Sequence, residues 1–319
     1  MEKPSAVYEI IYSIVSAEDN MQSVKELCQI AGVSRSGYYN WVASADKRAE
    51  REAQDRADFE LILEAYNFRG YAKGIRGIHM RLLHMDPPVL MNLKKIQRLM
   101  HKYGLKCPIR KANPYRRMAK ALKTDAVADN LLKREFREHG PRKVLLTDIT
   151  YIPCCGTFFY LSVIKDAYTL QVLAYVLSES LEVDFVLETV NILIANHGAA
   201  LDDETLIHSD QGCHYTSKKF REIVKDSNLR QSMSRRGNCW DNAPQESFFG
   251  HMKDHIIDKI AAAECFEEAK AIIDDYMDFY NNDNGIWELA KLTPNEYYEY
   301  CLTGIYPLPK YNPDQADLS

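Results

Sequence analysis

Three runs rich in Val, Ile, Leu, Thr, Tyr and Phe follow one another over residues 143–152, 158–165 and 171–177. The first two are joined across Cys154-Cys155-Gly156, which predicts an antiparallel hairpin extended by a third strand. Strand and helix patterns then alternate: a helix over 182–196, a short strand over 205–209, a helix over 217–227 and a short strand over 231–234. Antiparallel strands followed by strand-helix alternation admit few arrangements. The expected one is an α/β fold, a mixed five-stranded sheet with helices packed on it. After Asn242-Ala243-Pro244 the chain reads as helical, to about residue 257 and again over 266–281, so the expected core spans 142–305 with a tail at 306–319.

Ahead of the core the texture is helical. Apolar residues recur at helical spacing over 7–20 and 23–31, where Ser23 and Glu26 read as a capping box, and again over 35–42 after Gly32-Val33-Ser34. Helix, short turn with Gly, helix is the outline of a helix-turn-helix module over 1–45, its second helix opening with Ser34, Arg35 and Ser36 toward a major groove. A charged helix over 46–67, a loop, and two helical patterns over 75–84 and 93–103 closed by Gly104 make a second helical DNA-binding module over 46–107. Residues 108–141 read as a basic linker.

Charge divides the chain the same way. The net charge of −5 conceals a front half, residues 1–143, with 27 Lys and Arg against 17 Asp and Glu, and a back half, 144–319, with 13 against 28. The front is therefore +10 and the back −15. Between Asp86 and Asp125 no acid interrupts a series that includes Lys94, Lys95 and Arg98, a block that attracts a polyanion by counterion release. No apolar run approaches the roughly 20 residues of a membrane span, and Met1-Glu2-Lys3-Pro4 lacks a signal peptide's apolar stretch. Eight cysteines without a C-x-x-C pair fit reduced thiols better than a disulfide framework or a zinc site. A cytoplasmic, nucleoid-associated protein is expected, with no membrane partner.

Three carboxylates stand where catalysis is built. Asp148 interrupts the apolar run Val144-Leu145-Leu146-Thr147-Asp148-Ile149, and a carboxylate there costs several kcal/mol unless it opens on a cleft or holds a cation. Asp210 stands at the exit of the fourth strand, and Glu246 follows Pro244 in a helix expected to start near Asn242. Phosphodiester chemistry requires deprotonation of an attacking hydroxyl and stabilisation of a leaving oxygen, which two divalent ions about 3.5–4 Å apart accomplish. Oxygen-only ligands select Mg²⁺ or Mn²⁺. Asp148, Asp210 and Glu246, carried by three different elements, could hold such ions, although an Asp in a strand taken by itself is more often a turn or cap partner.

The stretches Thr147-Asp148-Ile149-Thr150-Tyr151-Ile152-Pro153, His208-Ser209-Asp210-Gln211-Gly212 and Arg236-Gly237-Asn238-Cys239-Trp240-Asp241-Asn242-Ala243-Pro244-Gln245-Glu246-Ser247-Phe248-Phe249 strongly resemble transposases of the insertion sequence 3 family, whose core resembles retroviral integrase. The 35 residues between Asp210 and Glu246 match that family's separation, and Lys253 falls seven after Glu246, two helical turns along the same face. The resemblance implies a ribonuclease-H-like core, catalytic roles for the trio, helix-turn-helix-like modules ahead of it and a DNA-end contact for Lys253. It also implies terminal inverted repeats and target DNA as partners, a homo-oligomer on paired ends, and an upstream-frame partner or fusion. Arg235 and Arg236, beside Glu246 in sequence, are expected on a phosphate backbone. A DNA-binding regulator with an inert core and a nuclease for RNA-DNA hybrids are the rival readings; the intact trio and the 236–249 stretch disfavour them.

Other polar residues are set aside. Asp166 reads as a turn residue, Asp241 as a cap, His208 and His214 as loop packing, and His251 and His255 as surface residues. One departure stands out: after Tyr280-Asn281-Asn282 the family carries a basic residue and an aromatic one, where this chain has Asp283-Asn284-Gly285-Ile286 before Trp287. The cation expected there is missing.

Overall fold

Cys155 and Gly156 both take positive φ, 53° and 73°, closing a two-residue hairpin between β1 (Val144–Cys154) and β2 (Thr157–Asp166). The computed structural model describes residues 4–17, 21–71, 73–107, 139–234 and 243–309. In it β2 pairs antiparallel with β3 (Val172–Ser178), while β1 pairs in parallel with β4 (Leu206–Ser209), and β4 with β5 (Arg230–Met233). The described sheet has the order β3-β2-β1-β4-β5. This is the mixed five-stranded sheet expected from the strand runs, with β1 at its centre.

Helices cover both faces. On one, α7 (Asp184–His197) and α9 (Lys218–Asp226) bury Phe185, Val190, Phe220 and Val224 against Leu145, Ile164 and Ile207. A short helix, α8 (Cys213–Thr216), leads into α9. On the other face, α10 (Ala243–Ala261) and α11 (Phe266–Asn282) bury Phe248, Met252, Ile273 and Phe279 against Ile152, Phe159, Leu161 and Val163. Burial of each such side chain contributes about 1.5–3 kcal/mol. Because strand side chains alternate, Asp148 points to the same face as Ile152 and Cys154, toward α10.

The chain forms two compact units, residues 1–63 and 64–319. In the first, α1 (Pro4–Val15), α2 (Val24–Ile30) and α3 (Arg35–Ala43) surround Ile11, Leu27, Cys28 and Tyr38. Ser23 and Glu26 form the expected capping box, and Ser34 caps α3 by accepting from the Gly37 N–H. Arg35, Ser36, Tyr39 and Asn40 are exposed along α3. The long helix α4 (Ala45–Asn67) contains the division between the units.

Within the second unit, α5 (Ile75–Leu83) and α6 (Leu93–Lys102) belong with the sheet. Tyr71 stacks on Phe279 at 4.3 Å between ring centres, and His84 Nε2 lies 2.9 Å from Glu296 of α12 (Pro294–Thr303). Leu83 is buried with Leu292 and Leu308. The Arg69 guanidinium donates to Asp275 and Asp283 at 2.6 Å and to Asp278 at 2.7 Å, and the Tyr71 hydroxyl donates to Asp275 at 2.5 Å. Burial pushes the Asp275 carboxyl up, but the Tyr71 hydroxyl and Arg69 outweigh it and hold the group below its ordinary value. The departure at 283–286 has a structural use: Asp283 takes its cation from Arg69, and a Cβ on Gly285 would stand 3.0 Å from the Met80 Cβ.

Arg69→Ala would leave three aspartates facing one another, and Asp278 is more than half exposed. With solvent screening that part of the cluster, the loss should be about 1–3 kcal/mol. The check is urea denaturation of Arg69→Ala beside Arg69→Lys, which retains the charge but not the three-way fork.

Candidate active site

Asp148 sits half-buried in the middle of β1, opposite Val163 of β2. One of its carboxylate oxygens accepts 2.8 Å from the Ile149 N–H. Burial pushes the carboxyl up to about 7; Asp210 and then Glu246 push the same way, against Ile149 and Lys253. The carboxylates that raise Asp148 come from different elements, one just past β4 and the other on α10, with 35 residues between them in sequence. Asp148 comes two residues after the stretch of β1, residues 144–146, that pairs in parallel with β4.

Asp210 is exposed just past β4, and its loop is shaped around its carboxylate. The Gly212 N–H donates to Asp210 Oδ1 at 2.8 Å, and a Cβ on residue 212 would stand 2.9 Å from that oxygen. A side chain at 212 would therefore have to push the exposed Asp210 carboxylate aside. Gln211 ties the loop to β5 through the Ser234 carbonyl at 3.2 Å. Glu246 is exposed in the first turn of α10, and Lys253, half-buried farther along that helix, is drawn by Asp148: burial lowers its ammonium and Asp148 opposes that shift.

Behind the carboxylates, Tyr215 is fully buried with its hydroxyl 3.5 Å from Thr147 Oγ1. Burial, then Asp148, push its phenol well up, so it remains a neutral backing group. Tyr215 was missed in the sequence, where nothing but its place just after the Asp210 loop marks it.

The flanking histidines pack. His208 Nδ1 meets Ser232 Oγ at 2.9 Å in the interior, and His214 Nε2 meets the Leu181 carbonyl at 2.6 Å. His255 corrects an expectation. It is not a surface residue: its ring lies 5.8 Å from Tyr71 and 5.9 Å from Tyr276, and burial, with His251 next, lowers it to about 4. Its neighbour His251 is exposed. Asp166 is a turn residue, accepting from the Tyr168 and Thr169 N–H groups, and it also pairs with Arg142.

Of the residues expected to contact DNA, Lys94 and Arg98 are exposed on α6, whereas Lys95 is half-buried beside the Asn92 cap. Arg35 is exposed on α3. Arg235, Arg236, the cap expected at Asn242, residues 108–138 of the basic linker and 310–319 of the tail lie outside the described residues. Among the described residues no helix is long and apolar enough to cross a membrane.

A central β1 in a mixed sheet, with a carboxylate facing a covering helix, defines a ribonuclease-H-like core of the integrase type. The integrase core domain family matches residues 138–239 and a second integrase core family 227–284, while an HTH-like domain family matches 53–113. The chain is 30% identical over 282 residues to a putative transposase for insertion sequence element IS150 of Escherichia coli, covering 85% of this chain and 92% of that one. It is 29% identical over 274 residues to an uncharacterized 31 kDa protein of insertion element IS600 of Shigella sonnei, covering 86% and 97%. Among solved structures, the catalytic core domain of BIV integrase matches 52% of this chain and 99% of that one at 16% identity, with a TM-score of 0.41. The chain belongs to the transposases of the insertion sequence 3 family.

Proposed function

We propose that this protein cuts and rejoins DNA at the ends of an insertion sequence, with Asp148, Asp210 and Glu246 as its active site. The observation that carries this reading is the placement of three carboxylates on neighbouring elements: Asp148 on the face of β1 that α10 covers, Asp210 just past β4, the parallel neighbour of β1, and Glu246 in the first turn of α10. Carboxylates converging from several elements are a donor set for divalent cations, and their mutual repulsion, which pushes Asp148 up, is relieved when a cation binds. Their chemistry fits Mg²⁺ or Mn²⁺, being oxygen alone. Among the described residues no group of three His, Cys, Asp or Glu side chains is placed to hold a metal ion as it stands.

Asp148, Asp210 and Glu246 would together hold two such ions, which supply activation of an attacking hydroxyl and neutralisation of a leaving oxygen. The protein's own groups orient the reaction. Asp148 stands within β1 and Asp210 just past the end of β4, Tyr215 and Thr147 close the floor behind them, and Lys253 presents an ammonium to a phosphate of the DNA end. The grip on DNA falls to the basic first half, through Arg35 on α3 and Lys94, Lys95 and Arg98 on α6, and Arg235 and Arg236 of the second half add to it. A core of net charge −15 repels a polyanion unaided. The partners are terminal inverted repeats and target DNA, bound by a homo-oligomer in the cytoplasm, with an upstream-frame product as a further partner or fusion.

The experiment is cleavage and joining of a duplex that carries the element's terminal repeat, in Mg²⁺, by wild type, Asp210→Asn and Glu246→Gln. Wild type should cut at the repeat and both variants should be inert while still shifting the duplex in a gel. Activity retained by either variant would remove that residue from the site, and an RNA-DNA hybrid preferred over duplex DNA would reassign the chemistry.

A further inference from the structure

The first turn of α10 is held from below by β2. Lys165 stands opposite Leu146 on β2, two residues along from Val163, which is the partner of Asp148. Strand alternation therefore puts Lys165, Val163 and Asp148 on one face of the sheet, the face that α10 covers. Lys165 is only 2% exposed. Its ammonium donates to the Pro244 carbonyl at 2.9 Å and lies 4.9 Å from the centre of the Phe248 ring. The next residue, Gln245, is fully buried and donates back to the Val163 carbonyl at 3.5 Å. The two residues immediately before Glu246 are thus fastened, in opposite directions, to the strand that also registers Asp148.

Burying an ammonium against a helix carries a desolvation cost that an apolar side chain of similar length would avoid. What the ammonium adds is direction, because a donor aimed at one carbonyl fixes how the first turn of α10 sits on the sheet, whereas packing alone tolerates sliding and rotation. We propose that Lys165 is a positioning residue which, with Gln245, sets the placement of Glu246 relative to Asp148 and so prepares the trio to take up a divalent cation. The proposal rests on the reading of Asp148, Asp210 and Glu246 as the cation-holding trio. The sequence carried one signal for it: a lysine at the inward position of the otherwise apolar alternation Leu161, Val163, Lys165.

Full-length wild type, Lys165→Met, Gln245→Met and Glu246→Gln are compared by three measurements: Mn²⁺ bound to the DNA-free protein, read by electron paramagnetic resonance; the Mg²⁺ concentration giving half-maximal end cleavage; and thermal melting. Lys165→Met should melt as cooperatively as wild type, bind Mn²⁺ about tenfold more weakly, and need about tenfold more Mg²⁺ while approaching the wild-type rate at saturation. Gln245→Met should shift the same two quantities in the same direction, and Glu246→Gln should lose Mn²⁺ binding. Unchanged Mn²⁺ affinity and Mg²⁺ demand in Lys165→Met, beside a defective Glu246→Gln, would overturn the positioning role while leaving the trio standing. Unchanged Mn²⁺ binding in Glu246→Gln would overturn the trio, and the proposal with it. Loss of the folded state in both Lys165→Met and Gln245→Met would make the contact a requirement of the fold and likewise overturn it.

Discussion

Asp148→Asn will abolish DNA cleavage and at the same time raise the melting temperature of the metal-free protein. The loss of activity should be on the order of a thousand-fold or more, since each factor of ten is about 1.36 kcal/mol of barrier and one ligand of a two-ion site controls several kcal/mol. The gain in stability has a separate cause. Burial, Asp210 and Glu246 raise the folded-state carboxyl to about 7 from an ordinary value of 3.8. Between those two pH values the folded chain holds a proton that the unfolded chain has released, so stability falls as pH rises across that window. Asparagine has no charge to desolvate or repel. The variant should therefore match wild type near pH 4 and exceed it progressively up to pH 7, by about 1–3 kcal/mol once the open side of the cleft is allowed for. In a scanning calorimeter that is a few degrees. Mg²⁺ should reverse the order, because it stabilises only a chain that binds it. A variant that is inactive and also less stable than wild type at pH 7 without metal would mean that Asp148 supports the fold, and the reading of it as a cation ligand would lose its physical basis.

Much of this site was legible because it depends on local pattern. A carboxylate inside an apolar strand, another at a strand exit and a third just after Pro244 can each be located from alternation, strand length and proline chemistry. The hairpin was legible for the same reason, although β1 extends two residues beyond the expected end because Cys155 and Gly156 alone supply the turn. What stayed hidden depends on pairs distant in the chain. Arg69 meets aspartates more than 200 positions away, and no periodicity forecasts that Asp283 replaces an expected cation in order to receive one. His255 was misread because its spacing from His251 gives a helix face without saying what lies on it, and Tyr71, from far upstream, covers that face. Lys165 was overlooked as well. Its place in the apolar alternation Leu161, Val163, Lys165 marks it as inward, but only the strand's register and the Pro244 contact show that it meets the first turn of α10.

Asp166→Ala should be the most destabilising single change among the acidic residues, at about 3–5 kcal/mol. Asp166 is fully buried at the end of β2. Its Oδ2 accepts from the Arg142 backbone N–H and guanidinium, both at 2.9 Å, while Oδ1 accepts from the Tyr168 and Thr169 N–H groups at 2.8 and 3.3 Å. The Arg142 side chain is 5% exposed and its guanidinium lies 4.0 Å from the centre of the Tyr298 ring, so it has little solvent to turn to once its partner is gone. Arg142 also adopts a φ of 64°, a conformation that a residue with a side chain keeps only where its surroundings hold it, and it enters β1 two residues later. Removing the carboxylate thus strands a buried cation, frees three backbone donors and releases a strained residue at the base of the strand that carries Asp148. Guanidinium titration should show a lower midpoint with an unchanged slope, and the double change Arg142→Met with Asp166→Leu should recover much of the loss, since an apolar pair needs neither charge nor partner. A loss under about 1 kcal/mol for Asp166→Ala would mean that the pair contributes no more than a surface salt bridge. At temperatures where the variant remains folded its cleavage rate should equal that of wild type, which would separate an acid that holds β1 in place from Asp148, the acid on β1 proposed to act.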